Sequence, residues 1–192
     1  MRRLLIIMSL KVTDFVKHFN HEHVKVPTFS SENRITLLIG LNGSGKSTLL
    51  KSMADLYYYE GDIEKNASMM YTDETMVFPE HMRINDYLNI LIDMSKAASK
   101  TMKDSLLCLF DLEQHKEKKF KELSKGMKQK VNLIQALMEN KDLYLLDEPM
   151  SGLDFESQIH FINHLKNSRK QYVIATHKEK TYEPLNAKKV YL

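Results

Sequence analysis

One cysteine, Cys108, is all that the 192-residue sequence offers for sulfur chemistry. A lone cysteine cannot form an internal disulfide, so the sequence reads as one suited to a reducing compartment. Its apolar setting, "SLLCLF", favours a buried structural thiol over a nucleophile. No window approaches about 18 continuous apolar residues, so no membrane-spanning helix is expected. The opening "MRRLLIIMSLKV" holds an apolar patch too short for a signal-peptide core, and Met8 is an alternative start. Repeats and low-complexity linkers are absent too. Charge is close to balanced: 28 basic against 25 acidic residues, a net charge of +3. That balance permits contact with anionic surfaces but points to neither nucleic acid nor membrane.

What is present is ordinary globular material, 43% hydrophobic and 28% charged. A chain of this length buries roughly 70% of its unfolded surface, enough for a real core. Residues 1–192 are expected to form a single domain with a modest subdomain. "LKVTDFV", up to about Phe19, alternates loosely as a strand, and "HFNHEHVKVPTF" reads as a polar connection. "RITLLIG", "DLYLLDEP" and "YVIATH" are short apolar runs of the kind found in strands buried on both faces. "KKVYL" closes the chain as a further strand, and "EGDIEKN" is a hairpin candidate.

Helical spacing recurs four times. It links Ile84, Leu88, Leu91 and Ile92, then Met102, Leu106, Leu109 and Phe110. It returns in Met127, Val131, Ile134 and Met138, and in Phe155, Ile159 and Ile162. Core-facing helices are the simplest account. Buried strands alternating with helices predict an α/β fold with a mainly parallel sheet. No strand pattern falls between about 84 and 122, so a helical subdomain at about 75–122 is expected, inserted into a core of about 1–74 and 123–192.

The chemistry begins at "GLNGSGKST", directly behind the apolar "ITLLI". Gly40 to Ser47 fits G-x-x-x-x-G-K-[ST], with a strand before and a helix after. Gly40, Gly43 and Gly45 let backbone amides approach phosphate oxygens at a helix N-terminus. Lys46 would reach the β- and γ-phosphates, and the Ser47 hydroxyl would ligate Mg²⁺. Leu41, Asn42, Ser44 and Thr48 complete the candidate phosphate-binding loop. Asp147, ending "LYLLD", stands where a Mg²⁺-associated carboxylate belongs. Glu148 follows at once. Adjacent acids at a strand's end need not share one environment, so one can serve a metal while the other polarises water.

"LSKGMKQK" at 123–130 then precedes a helix. Ser124 and the amides around Gly126 form a second site ready for anionic oxygens. With "GLNGSGKST", "ELSKGMKQK", "LYLLDEP", "SGLD" and "VIATH" in order, nearly the whole chain resembles the ATP-binding subunit of ABC transporters. The Leu-Ser-x-Gly element, with its serine 23 residues before Asp147, is what other phosphate-loop enzymes lack. The resemblance implies the ABC ATPase form of the phosphate-loop NTPase fold, with a small antiparallel β region, and it implies ATP and Mg²⁺ as ligands. Two subunits, identical or not, would pair head to tail, so that Ser124 and Gly126 of one close over ATP held by the other. Asp154 would cross that interface, and His177 would contact the γ-phosphate and the attacking water. A separate membrane-spanning permease would be the partner, holding the chain at the inner face of the cell membrane. "LSKGMKQK" looks more like the exporter branches than the importers.

Two positions depart from that family. Asp73, in "MMYTDE", stands where a glutamine is usual; an aspartate can still ligate the Mg²⁺ that the resemblance implies, but it is shorter and more negative, which leaves coupling to the partner open. For the adenine platform Phe19, 27 residues before Lys46, is the best match. Phe15 is the weaker candidate, and core packing is the competing explanation. His18, His21 and His23 crowd "HFNHEH", but no cysteine or second cluster completes a metal set. "EQHKEKKFKEL" reads as a solvated charged face. The rival function is a soluble ABC-type ATPase acting on nucleic acid or ribosomes. Such proteins carry a second cassette or long coiled coils, neither of which is here, and no nucleic acid is expected as a partner. A non-hydrolysing module fits less well, because Glu148 and His177 are both present.

Overall fold

A computed structural model of the chain describes residues 9–20, 22–73, 76–95 and 97–192. Met1, Met8 and His21 therefore lie outside the described residues. The chain divides into two compact units, residues 1–71 with 141–148 and 168–192, and residues 72–140 with 149–167.

The first unit is built on two sheets. β1 (Leu10–His18) pairs antiparallel with β2 (His23–Lys25), β3 (Phe29–Ser31) and β5 (Glu60–Glu64). The polar connection expected at "HFNHEHVKVPTF" thus supplies β2 and the start of β3. "EGDIEKN" forms no local hairpin; it pairs with β1, far back in the sequence. The second sheet has the order β6–β7–β8–β4–β9. Its strands are β4 (Ile35–Ile39), β6 (Met69–Thr72), β7 (Leu143–Asp147), β8 (Gln171–Thr176) and β9 (Lys188–Tyr191). β7, β8, β4 and β9 run parallel. Every residue of β4, β7 and β8 is buried, as apolar strands covered on both faces must be. Helix α1 (Lys46–Met53) buries Leu49, Leu50 and Met53 against Leu38, Leu145, Val173 and Ala175 in one core. Leu10, Val12 and Phe15 of β1 share that core, which joins the two sheets.

The second unit is helical: α2 (Ile84–Met94), α3 (Lys100–Leu109), α4 (Lys125–Met138) and α5 (Phe155–Asn167). Among the described residues no helix is long and apolar enough to cross a membrane. Ile84 and Leu88 are buried as their spacing predicts. The other helices depart from simple stripes. α4 is buried without a break from Gln129 to Met138, on every side. Its polar residues are satisfied inside: Gln129 donates to the Pro149 carbonyl (3.1 Å) and Asn132 to the Asp73 carbonyl (2.8 Å), while Gln135 bonds Asn132 and Tyr87. In α5 only Ile162 of the expected stripe is buried; Phe155 is 77% and Ile159 43% exposed. Cys108 is exposed too, directly after the buried Leu106 and Leu107 and turned off their face of α3, contrary to its apolar neighbourhood in sequence.

An aromatic cluster holds this unit together. Phe78 and Phe120 stack at 4.5 Å with rings 4° from parallel, and Tyr87 meets Phe120 edge-on at 5.2 Å. Phe120 is fully buried although it sits inside the charge run "EQHKEKKFKEL", whose remaining residues are mostly exposed. Phe120→Ala is expected to destabilise the protein by about 3–5 kcal/mol. Urea unfolding measures this, and a loss below about 1 kcal/mol would show that the stack is dispensable.

Candidate active site

Strand register brings the chemistry of the first unit together. Ile39 of β4 lies beside Thr176 of β8, and Ala175 of β8 lies beside Asp147 of β7. The three parallel strands end at one edge of the sheet. There the Gly40–Gly45 loop, Glu148 and His177 emerge from neighbouring strands roughly 5 Å apart. The carboxyl edge of a parallel sheet is where such folds bind ligands.

The loop joins β4 to α1. Gly45, at the helix N-cap, has φ +96°, and a Cβ placed there would meet Val24 Cγ1 at 2.2 Å. Glycine is required both for that backbone and for that contact. No side chain caps α1 and no acid stands in its first turn, so its leading amides and dipole are directed at the loop. The Lys46 ammonium, 6% exposed, donates to the Gly40 and Leu41 carbonyls, both at 2.8 Å. The Ser44 hydroxyl is buried in the loop without a protein partner. A buried cation, free helix-start amides and an orphaned hydroxyl fit a polyphosphate. Leu41, Asn42 and Gly43 form the exposed lip, while Ser47 is exposed and Thr48 half-buried in the first turn of α1.

Asp147 is buried as the last residue of β7. Together with the Ser47 hydroxyl it supplies hard oxygen donors of the kind Mg²⁺ takes. Glu148 adopts φ +43°, rare outside glycine, and its N–H donates to the Ala175 carbonyl at 3.0 Å. Such backbone strain costs about 1–3 kcal/mol and gathers at functional positions. Glu148 Oε1 accepts from the His177 backbone N–H (2.9 Å) and from His177 Nδ1 (2.7 Å). A carboxylate oxygen only accepts, so Nδ1 carries a proton and Nε2 is the ring nitrogen left to face elsewhere.

Phe19 follows β1 and is 44% exposed. It meets Tyr57 edge-on at 6.2 Å, with Lys17 Nζ about equally near both rings, at 5.5 and 5.4 Å. β2 lies next to this end of β1, with Val24 opposite Lys17, and Val24 is the residue that packs on Gly45. Phe15, by contrast, is 1% exposed and stacked on Tyr59 at 5.4 Å, a core residue rather than a platform.

The remaining candidates belong to the second unit and form their own group. Ser124 caps α4, accepting from the Met127 N–H at 3.2 Å. A Cβ on Gly126 would stand 2.4 Å from the Gly152 carbonyl oxygen, so "SKG" and "SGLD" touch through two glycines. Asp154 is held at 2.8 Å by Lys130, and that hydrogen bond, helped by one from the Ser157 backbone, keeps the carboxyl well below its ordinary range. Asp154 also accepts from the Ser157 N–H at 2.9 Å and so starts α5. Asp73 is half-buried just after β6.

Sequence reasoning missed Tyr57, Lys130 and Thr176. Lys130 stands inside the quoted "LSKGMKQK", yet its partner is far along the chain. Tyr57 in "LYYYE" carries no motif. Thr176 lies inside "VIATH", where the histidine took all the weight.

Comparison with known proteins gives the family of the chain. The family model described as ABC transporter matches residues 27–151. An ABC transporter ATP-binding protein of Methanocaldococcus jannaschii is 32% identical over 186 residues, covering 92% of this chain and 71% of that protein. The zinc import ATP-binding protein ZnuC of Acinetobacter baylyi is 31% identical over 147 residues, covering 73% of this chain and 54% of that one. A solved structure described as the ATP binding subunit of an ABC transporter superposes with a TM-score of 0.83 at 27% identity, covering 96% of this chain and 86% of that chain. The chain belongs to the ABC transporter family, among its ATP-binding proteins, which are ATPases of the phosphate-loop type.

Gly45→Ala is expected to weaken ATP binding at least about tenfold, through both the backbone and the Val24 contact. Calorimetric titration with ATP measures it, and unchanged affinity would remove the loop from the site.

Proposed function

We propose that this chain hydrolyses ATP to drive transport through a separate membrane-spanning permease, acting as one of two paired ATP-binding subunits at the inner face of the cell membrane. The observation that carries the reading is the Glu148–His177 pair, set by strand register beside the phosphate loop.

Each residue has a task. Phosphate oxygens of ATP take over the bonds that Lys46 makes to the Gly40 and Leu41 carbonyls. The amides of Asn42 to Thr48 surround the same oxygens, as helix-start amides do in other phosphate sites. Ser47 and Asp147 would hold Mg²⁺. The ion would screen charge on the β- and γ-phosphates. Phe19 gives the adenine a ring to stack on, which needs no hydrogen bond. Glu148 accepts a proton from water as its oxygen attacks the γ-phosphorus, and the bond to the β-γ bridging oxygen breaks to give ADP and phosphate. His177 Nε2 faces the γ-phosphate, its ring oriented through Nδ1 by Glu148.

Ser124, Gly126 and Asp154 of a second ATP-binding subunit, a copy or a relative, close over the triphosphate, so ATP itself cements the pair. Its hydrolysis then loosens them, and the permease converts closing and opening into transport. We assign outward transport from the likeness of "LSKGMKQK" to exporter branches; the zinc import relative is the observation on the other side.

Glu148→Gln is expected to lower turnover by about 10²–10⁴-fold, the range for a positioned general base. It should also leave an ATP-bound dimer stable to gel filtration. A monomer at saturating ATP would count against the paired arrangement. Recovery of RNA, rather than a multi-spanning protein, with the chain purified from membranes would move it to the soluble ATPases.

A further inference from the structure

We propose that Thr176 is a positioning residue for hydrolysis, a buried hydroxyl that fixes the second oxygen of Glu148 and makes that oxygen the proton acceptor. The inference rests on the reading of Glu148 as the general base. Thr176 ends β8 and is 1% exposed. Thr176 Oγ1 donates to Glu148 Oε2 at 3.3 Å and accepts from the Lys178 N–H at 3.0 Å.

A threonine hydroxyl has one proton, and a carboxylate oxygen only accepts, so the Thr176 O–H points out to Glu148 while the Lys178 N–H donates in. The incoming donor polarises the hydroxyl and strengthens the bond the threonine makes.

The consequence falls on the carboxylate. Of about four acceptor positions on Glu148, His177 fills two on Oε1 and Thr176 fills one on Oε2. The position left for a water is therefore on Oε2, the oxygen whose orientation the Thr176 hydroxyl sets. Without that hydroxyl the carboxylate can turn about its last bond, and the accepting lone pair loses its aim.

The test is steady-state ATP turnover by the full chain, with kcat and KM read separately. Thr176→Val is expected to lower kcat about 10- to 100-fold with KM for ATP unchanged, the cost of misplacing a reacting group. Thr176→Ser, which keeps the hydroxyl, should recover to within about threefold of the parent. Far-UV circular dichroism matching the parent guards against a valine variant that folds poorly. In a Glu148→Gln background Thr176→Val should cost nothing further, because no base remains to be aimed. Full kcat in Thr176→Val would overturn the proposal, as would a rise in KM alone or an equal loss in the Glu148→Gln background. Glu148→Gln turning over like the parent would overturn the base reading and the proposal with it. An inactive Glu148→Gln beside a fully active Thr176→Val would overturn the proposal alone.

Discussion

Ile39 stands beside Thr176, and Ala175 beside Asp147, because β4, β8 and β7 run parallel and in step. The phosphate loop, the adjacent acids and the histidine all depend on that ladder. They come from segments far apart in sequence and would have no relation to one another without it. The ladder in turn depends on strands that are apolar on both faces, since all of β4, β7 and β8 lies inside. A one-residue slip in such strands exposes no polar face, so hydrogen bonding and the fit of α1 on the sheet must hold the register.

Polar groups at the ends of these strands are then placed against strain and desolvation. Glu148 sits in a left-handed backbone conformation with its N–H bound to Ala175, which turns its side chain back toward His177. Lys46 is almost fully buried yet bonded only to main-chain carbonyls, an arrangement in which anionic oxygens are the better acceptors. The second unit repeats the theme at the start of α4. There Ser124 caps the helix while Gly126 and Gly152 bring two loops to contact distance. Each unit thus carries one helix start suited to anionic oxygens.

Much of this was legible in the sequence, for reasons that differ by element. The phosphate loop could be read because its spacing is forced by glycine conformations and a helix start. The three inner strands could be read because burial on both faces leaves an unbroken apolar run. The edges of the fold could not. β2 and β3 are three residues each and polar at their exposed positions, so only pairing with β1 reveals them. α4 hid its complete burial behind Gln129, Asn132 and Gln135, whose partners lie outside the helix or in its own next turn. Cys108 and Phe155 mislead in the opposite sense, the first exposed despite apolar neighbours in sequence and the second despite its place in a helical apolar stripe. At the candidate site the motif residues were visible, whereas Thr176 meets Glu148 through a hydrogen bond that no spacing encodes.

The central claim is that the loop after β4, the acids after β7 and the histidine after β8 serve one triphosphate. A crystal structure with Mg²⁺ and a non-hydrolysable ATP analogue tests it directly. The account predicts Lys46 Nζ released from the Gly40 and Leu41 carbonyls onto phosphate oxygens, His177 Nε2 against the γ-phosphate and the Glu148 carboxylate facing it. Nucleotide bound elsewhere, or Lys46 still on those carbonyls with the γ-phosphate remote from His177, would contradict it.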